Sequence, residues 1–439
     1  LVCFFLTLSI GLLVAPWAAR AATITDVADA ADHISIGDYQ ESNPFDFWFG
    51  PEFEFLSASG KITREPGSGC LESNARDCLP VDELQWAQTQ TKMNFKMQAG
   101  IYHDLALTLK IPVIFGDSRK FDYAGGVTAS NSSIDPDNGN PEETLFNHNY
   151  SSNHKGLDDI ELGLRYAPLS DIRDESKPNW VVFINWAIPR GSKVYNPTED
   201  SSKSDKPVGD GVHRTTFGTS LSKRVGSFGL VGIDDKLHRR GYLDPYMEFS
   251  YTLPVPEQDL ANRSQVKTGS NSFGTPPSHT AKVQAGVEIV PVENIKKQQK
   301  FAVDLRFVSE YHSEGRNFSI LTDPLGELTY TEQFVDIGAQ AAIVGQPHRF
   351  VQLMLGFSVG YRTEHFVTSE NIGRDGDGNG VVDDVDVDEF NPYFCGNDAD
   401  DSCGAKGIRA SESYDQIGFR FKNEEHVFWT IFSGISITL

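Results

Sequence analysis

The chain is expected to be all-β: a transmembrane antiparallel up-and-down β-barrel of about twelve strands, with ten to fourteen open. Three observations carry this. Apolar and polar residues alternate in segment after segment, although 29 Phe, 14 Tyr and 6 Trp could have formed continuous apolar runs. Alternation with a period of two is the mark of a strand with one apolar and one polar face. The connections between segments are alternately long and short. After residue 14 no stretch approaches the ~18 uninterrupted apolar residues that a membrane helix needs.

The elements follow in order. The first places Phe45, Phe47, Phe49, Phe53 and Phe55 on one face and Asp46, Glu52 and Glu54 on the other. The second sets Met93, Phe95, Met97, Ala99 and Ile101 against Lys92, Asn94, Lys96 and Gln98. A tight turn at His103–Asp104 leads to the third, Leu105 to Phe115, and the fourth carries Ile160, Leu162, Leu164 and Tyr166. The fifth runs from Trp180 to Ile188, a weaker sixth covers Thr215 to Arg224, and the seventh shows Met247, Phe249, Tyr251 and Leu253. Ala281–Ile289, Phe301–Phe307, Val335–Ala341, Val351–Tyr361 and Val427–Leu439 complete the twelve.

Long connections fall at 60–85, 117–156, 190–213, 256–278, 312–330 and 365–425. Shorter ones fall at 103–104, 168–178, 226–241, 291–300 and 345–349. A bacterial outer-membrane barrel shows this asymmetry, with long loops outside and short turns in the periplasm. An even strand number returns both ends of the chain to the periplasm.

Three divisions are expected. Residues 1–21 read as a secretory signal peptide: Leu1 to Val14 is nearly all apolar, and Ala19-Arg20-Ala21 precedes Ala22 in the small-x-small cleavage pattern. Residues 22–43 are a short acidic periplasmic segment, and 44–439 are the barrel. Trp48, Trp180, Trp186 and Trp429 fit aromatic girdles at the two interfaces. His103 and His426, near strand ends, read as interfacial side chains.

One motif carries metal chemistry. Asp375, Asp377, Asn379, the Val381 carbonyl, Asp383 and Asp386 occupy positions 1, 3, 5, 7, 9 and 12 of a calcium loop, with Gly380 at the sharp turn. Calcium needs several hard oxygens gathered by a short segment, and this spacing supplies them. Cys395 and Cys403 follow, and Cys70 and Cys78 repeat their spacing in the first long connection. An exported chain keeps disulfides; four cysteines allow three pairings, with local pairing favoured. A Ca2+ ion and a disulfide would order the longest outer loop without a hydrophobic core.

The inward face is mixed. Lys92, Lys96, Lys110, Arg165, Lys282, Arg306 and Arg362 meet Glu161, Glu248, Glu288, Asp304 and Asp336, besides Glu52 and Glu54. Such a lumen is either a polar pore or a barrel shut by salt bridges. With 38 Lys+Arg against 61 Asp+Glu, the net charge of −23 argues against nucleic acid. Acidic outer loops predict a bias toward cations at the mouth.

The stretch Gly156-Leu-Asp-Asp-Ile-Glu-Leu-Gly-Leu-Arg-Tyr166 and the lead-in Asn43-Pro44-Phe45-Asp46-Phe47 resemble recurring segments of outer-membrane proteins grouped with the phenol meta-pathway transporter family. The resemblance implies a barrel and a transport role, and no catalytic residues. The expected function is passage of small solutes through a monomeric barrel in the lipid of the bacterial outer membrane. A closed barrel whose acidic outer loops hold a partner is the first alternative. A lipid-modifying hydrolase is the second, although no Gly-x-Ser-x-Gly elbow or His-Glu-x-x-His pair is present.

Overall fold

The computed structural model describes residues 47–65, 81–102, 104–128, 151–169, 176–190, 208–209, 211–227, 239–256, 277–294, 299–322, 329–348, 350–368 and 420–438. The expected signal peptide, the lead-in, all five cysteines and the calcium-type loop lie outside these residues.

Seventeen strand segments form one sheet. They are β1 (Phe47–Arg64), β2 (Val81–Tyr102), β3 (Leu105–Tyr123), β4 (Ser151–Leu157), β5 (Ile160–Leu169), β6 (Asn179–Ile188), β7 (Val212–Ser222), β8 (Val225–Ser227) and β9 (Arg239–Pro256). The rest are β10 (Thr280–Asn294), β11 (Gln299–His312), β12 (Gly315–Asn317), β13 (Thr329–Thr331), β14 (Phe334–His348), β15 (Val351–Arg362), β16 (His365–Thr368) and β17 (Phe421–Thr438). Five of the segments continue a neighbour, so the wall has twelve strands. Each pairs antiparallel with the next, and β1 pairs with β17 from Trp48↔Thr438 to Arg64↔Phe421, which closes the barrel. Closure leaves no free edge, as a sheet in lipid requires.

The twelve segments expected from alternation are the twelve found, with the expected faces. Phe53, Phe115, Leu164, Trp186, Phe249, Phe307, Leu355 and Ile431 all point outward, at 38–56% exposure. In water such a surface would aggregate; in a bilayer it is the lipid-facing belt. Phe49 stacks on Phe95, and Trp429 packs on Phe55 and Phe357 across neighbouring strands.

The strands overrun the expected boundaries at the outer end. β1 has 18 residues, β2 has 22 and β17 has 18, against 10 each in β5 and β6. About 9–11 residues cross the hydrocarbon, so the wall stands above the membrane on one side. There the pattern inverts. In β1 the outward positions change from Phe53 and Phe55 to Ser57, Ser59 and Lys61, and the inward ones from Glu52 and Glu54 to Leu56, Ala58 and Ile62. Water now lies outside, and the apolar side chains turn into the barrel. The connections expected at 60–85, 117–156 and 365–425 are therefore shorter, and β16 lies within the last of them.

Candidate functional site: the barrel lumen

Wherever the outward face is apolar, the opposite face of each strand looks into the lumen, so the alternation that builds the belt also builds the interior. An interior cavity of about 790 Å³ extends from Trp48, Gln346 and Val351, at the periplasmic strand ends, to Glu54, Gln340 and Thr430 in mid-barrel.

Nine of the expected lumen residues line this cavity: Glu52, Glu54, Lys96, Lys110, Glu161, Arg165, Glu248, Lys282 and Arg306. The others sit beside it as partners or above it. Lys96 pairs with Glu52 at 2.8 Å, Lys92 with Glu54 at 3.2 Å and Lys110 with Glu161 at 3.6 Å. Lys96 and Lys110 are direct cross-strand neighbours; like charges so placed repel, and the two glutamates offset this.

On the wall formed by β9, β10 and β11, Arg306 binds Asp304 at 2.9 Å, the Tyr246 hydroxyl oxygen at 3.0 Å and the Gln284 carbonyl oxygen at 3.2 Å. Tyr246 donates to Asp304, and Gln284 donates to Glu248 at 3.0 Å. Lys282 reaches Glu310 at 3.8 Å, and Lys300 pairs with the fully buried Glu288. Glu248 lies in the field of Arg165, Lys282 and Arg306, and Arg165 also sits 5.2 Å over the Phe183 ring. Asp336 and Arg362 form a two-pronged pair at 2.7 and 2.8 Å higher up, next to His312.

The wall of β14, β15 and β17 contributes no charge to the cavity. Gln340, Gln346, Gln352, Ser358, Thr430 and Ser436 line it, with Phe432 among them. The Phe432 ring lies flat on Gly356: a Cβ there would sit 2.1 Å from the ring edge. Phe183 lies on Gly218 and Trp86 on Gly60 in the same way. Glycine on the inner face thus lets each ring lie against the wall instead of across the lumen.

Above the cavity an apolar cluster sits among buried polar groups such as Asn423 and His426. Ala58, Ile62, Leu84, Trp86, Phe121, Val367 and Phe421, from β1, β2, β3, β16 and β17, pack around Leu321 of the connection between β12 and β13. Trp86 donates to the Asn423 side-chain oxygen at 3.1 Å and meets His426 edge-on at 4.7 Å.

Two sequence readings need correcting. Trp48 lines the cavity rather than an aromatic girdle, because it alternates with the outward Phe47 and Phe49. His426 is buried on the inner face at 9% exposure, because it precedes the outward Val427. Sequence reasoning also missed Tyr246, Gln284, Lys300 and the apolar cluster around Leu321. Inverted alternation in β1 and β2 was the available signal for the cluster.

No family model and no curated protein matches the chain. Among solved structures it is similar to an outer membrane channel of Pseudomonas putida F1, at 8% identity over 92% of this chain and 98% of that one, with a TM-score of 0.39. It is similar to the transport unit of the autotransporter AIDA-I of Escherichia coli, at 9% identity over 94% and 97%, TM-score 0.36. It is also similar to the outer membrane protease OmpT of Escherichia coli, at 6% identity over 90% and 97%, TM-score 0.29. The assignment of class rests on the chain's own geometry. A closed, even-stranded antiparallel barrel with an apolar belt facing outward is an integral protein of the bacterial outer membrane.

Proposed function

We propose that this barrel is a channel for small solutes, related to the phenol meta-pathway transporters that its strand motifs resemble. The observation that carries the reading is the space inside the closed wall: about 790 Å³, lined by amide, hydroxyl and ion-paired side chains together with Trp48, Phe183 and Phe432. A barrel serving only as a scaffold has no need to keep its interior wet or its aromatic rings folded onto glycines.

The six cations Lys92, Lys96, Lys110, Lys282, Lys300 and Arg306 each have a carboxylate within 4 Å. Such pairing orients hydroxyl and amide groups without strong attraction for either sign of ion. Among the described residues His154, His365 and His426 are buried and His312 meets Asp336 on the inner wall, away from the lipid face, which favours a channel over a hydrolase acting at the bilayer edge.

The calcium site belongs to this reading as a proposal resting on sequence spacing: Asp375, Asp377, Asn379, Val381, Asp383 and Asp386 would hold one Ca2+ ion, close in sequence to a Cys395–Cys403 bridge. Planar-bilayer recordings of the refolded mature chain test both parts. Ion steps through the folded protein are expected, and they should change when calcium is chelated. Silence from a folded, inserted barrel would favour the closed, partner-binding alternative. Steps that ignore chelator, and that are the same in Asp377→Ala, would remove calcium from the account.

A further inference from the structure

We propose that the turn Ser319–Thr322 is the outer gate of this channel and that Leu321 at its tip decides whether the lumen is open; this rests on the channel reading. The turn belongs to the connection between β12 and β13, yet it does not lie on the rim. Leu321 is 0% exposed and packs against Ile62, Trp86, Phe121 and Phe421. Of these, Ile62, Trp86 and Phe121 come from β1, β2 and β3, which lie round the wall from β12 and β13, while Phe421 of β17 is joined to β13 through β16. Phe318, three residues before Leu321, packs on Val212 at the outer end of β7. The segment from Phe318 to Leu321 therefore crosses the mouth from one wall to another, directly above the polar cavity.

Its construction suits a body that moves as a unit. Ser319 accepts at its carbonyl from the Thr322 N–H at 3.2 Å, and its own N–H donates to the Thr322 hydroxyl at 2.9 Å. The Leu321 N–H donates to the Ser319 hydroxyl at 3.1 Å, and Thr329 bonds the same hydroxyl at 2.7 Å. The turn is thus internally stiff. Its attachment is slight by comparison: β12 and β13 have three residues each, and β13 meets β16 at only two pairs.

The contacts that seat Leu321 are apolar, and the Thr329 hydroxyl on Ser319 ties the turn to β13 without a charge. A dry apolar constriction excludes hydrated ions by dewetting. It releases when the seat is weakened, because no charge has to be separated.

The experiment uses KCl as probe and the refolded mature chain in planar bilayers, with the folded barrel verified by its heat-modifiable migration on gels. Wild type is expected to stay mostly closed, with brief openings. L321S, which puts a hydroxyl into the seat, is expected to raise the fraction of time open at least tenfold. L321A provides a milder second variant should L321S fail to fold, with an intermediate rise. Steady, equal conductance in wild type and both variants would overturn the gate and leave the channel standing. Silence in wild type and in folded variants alike would overturn the channel reading, and the gate with it.

Discussion

At the scale of the residue, partners decide what a charged or titratable side chain does in this barrel. Asp304 and Arg306 sit two apart on the same inward face and satisfy each other, with Tyr246 and Gln284 completing the set. Removing one member of such a buried pair leaves an uncompensated charge, which costs more than the pair contributes. His365, in the outer extension above the lipid belt, shows the same dependence through pH. Burial lowers its pKa from the ordinary 6.5 to about 4, outweighing the hydrogen bond to the Thr363 carbonyl at 2.9 Å. The folded pKa lies below the unfolded one, so the unfolded chain takes up the proton first. The contribution of His365 is complete above about pH 6.5 and is lost as pH falls toward 4, a change on the order of 3 kcal/mol. Hydrogen exchange at β13 and β16 should therefore quicken between pH 7 and pH 4.5 in wild type. In His365→Gln the rates, corrected for intrinsic exchange, should change much less; an unchanged slope would place the pH response elsewhere.

At the scale of the element, the inner glycines and the rings upon them set the bore. A Cβ at position 356 would lie 2.1 Å from Phe432, so Gly356→Ala must move the ring. The cavity offers it space, so the ring is expected to swing inward, with lower conductance and little loss of stability. Should the ring instead stay against the wall, overpacking would cost about 1–3 kcal/mol, read as a lower denaturation midpoint at unchanged conductance. The same elements show how far sequence carries. All twelve membrane segments were legible, because lipid on one side and water on the other force a strict alternation. Which residues face the lumen followed from that parity, including Lys96, Glu161 and Arg306. The outer extensions were not legible on the same rule, because above the bilayer the apolar side turns inward, as at Ile62 and Leu84. Register shifts at Glu424/Val427, opposite Ser59/Lys61, and at Ile114/Asp117 also change the parity midway along β17 and β3. Leu321 gave no periodic signal, since a single turn folded into a lumen has no period.

At the scale of the whole molecule, the net charge of −23 and the lumen's internal balance make separate contributions to ion selectivity. The lumen holds its cations and carboxylates in pairs a few ångströms apart, so its field nearly cancels along the path. The excess acid includes the sequence around Asp375–Glu389 in the last outer connection, and charges in an outer loop act over about a Debye length. That length is about 30 Å at 0.01 M salt and about 3 Å at 1 M. The open channel, or the open L321S variant, should therefore favour K+ over Cl− at low salt and lose nearly all of that preference at 1 M, read from the reversal potential across a fixed concentration ratio. Glu248→Gln should then shift the 1 M value toward anions, because Arg165, Lys282 and Arg306 surround that carboxylate within the lumen. A strong cation preference persisting at 1 M would show that the selective charges lie inside the barrel and that the pairing seen there does not cancel them. A preference confined to low salt, together with an anion shift in Glu248→Gln, would assign steering to the loops and electrical neutrality to the bore.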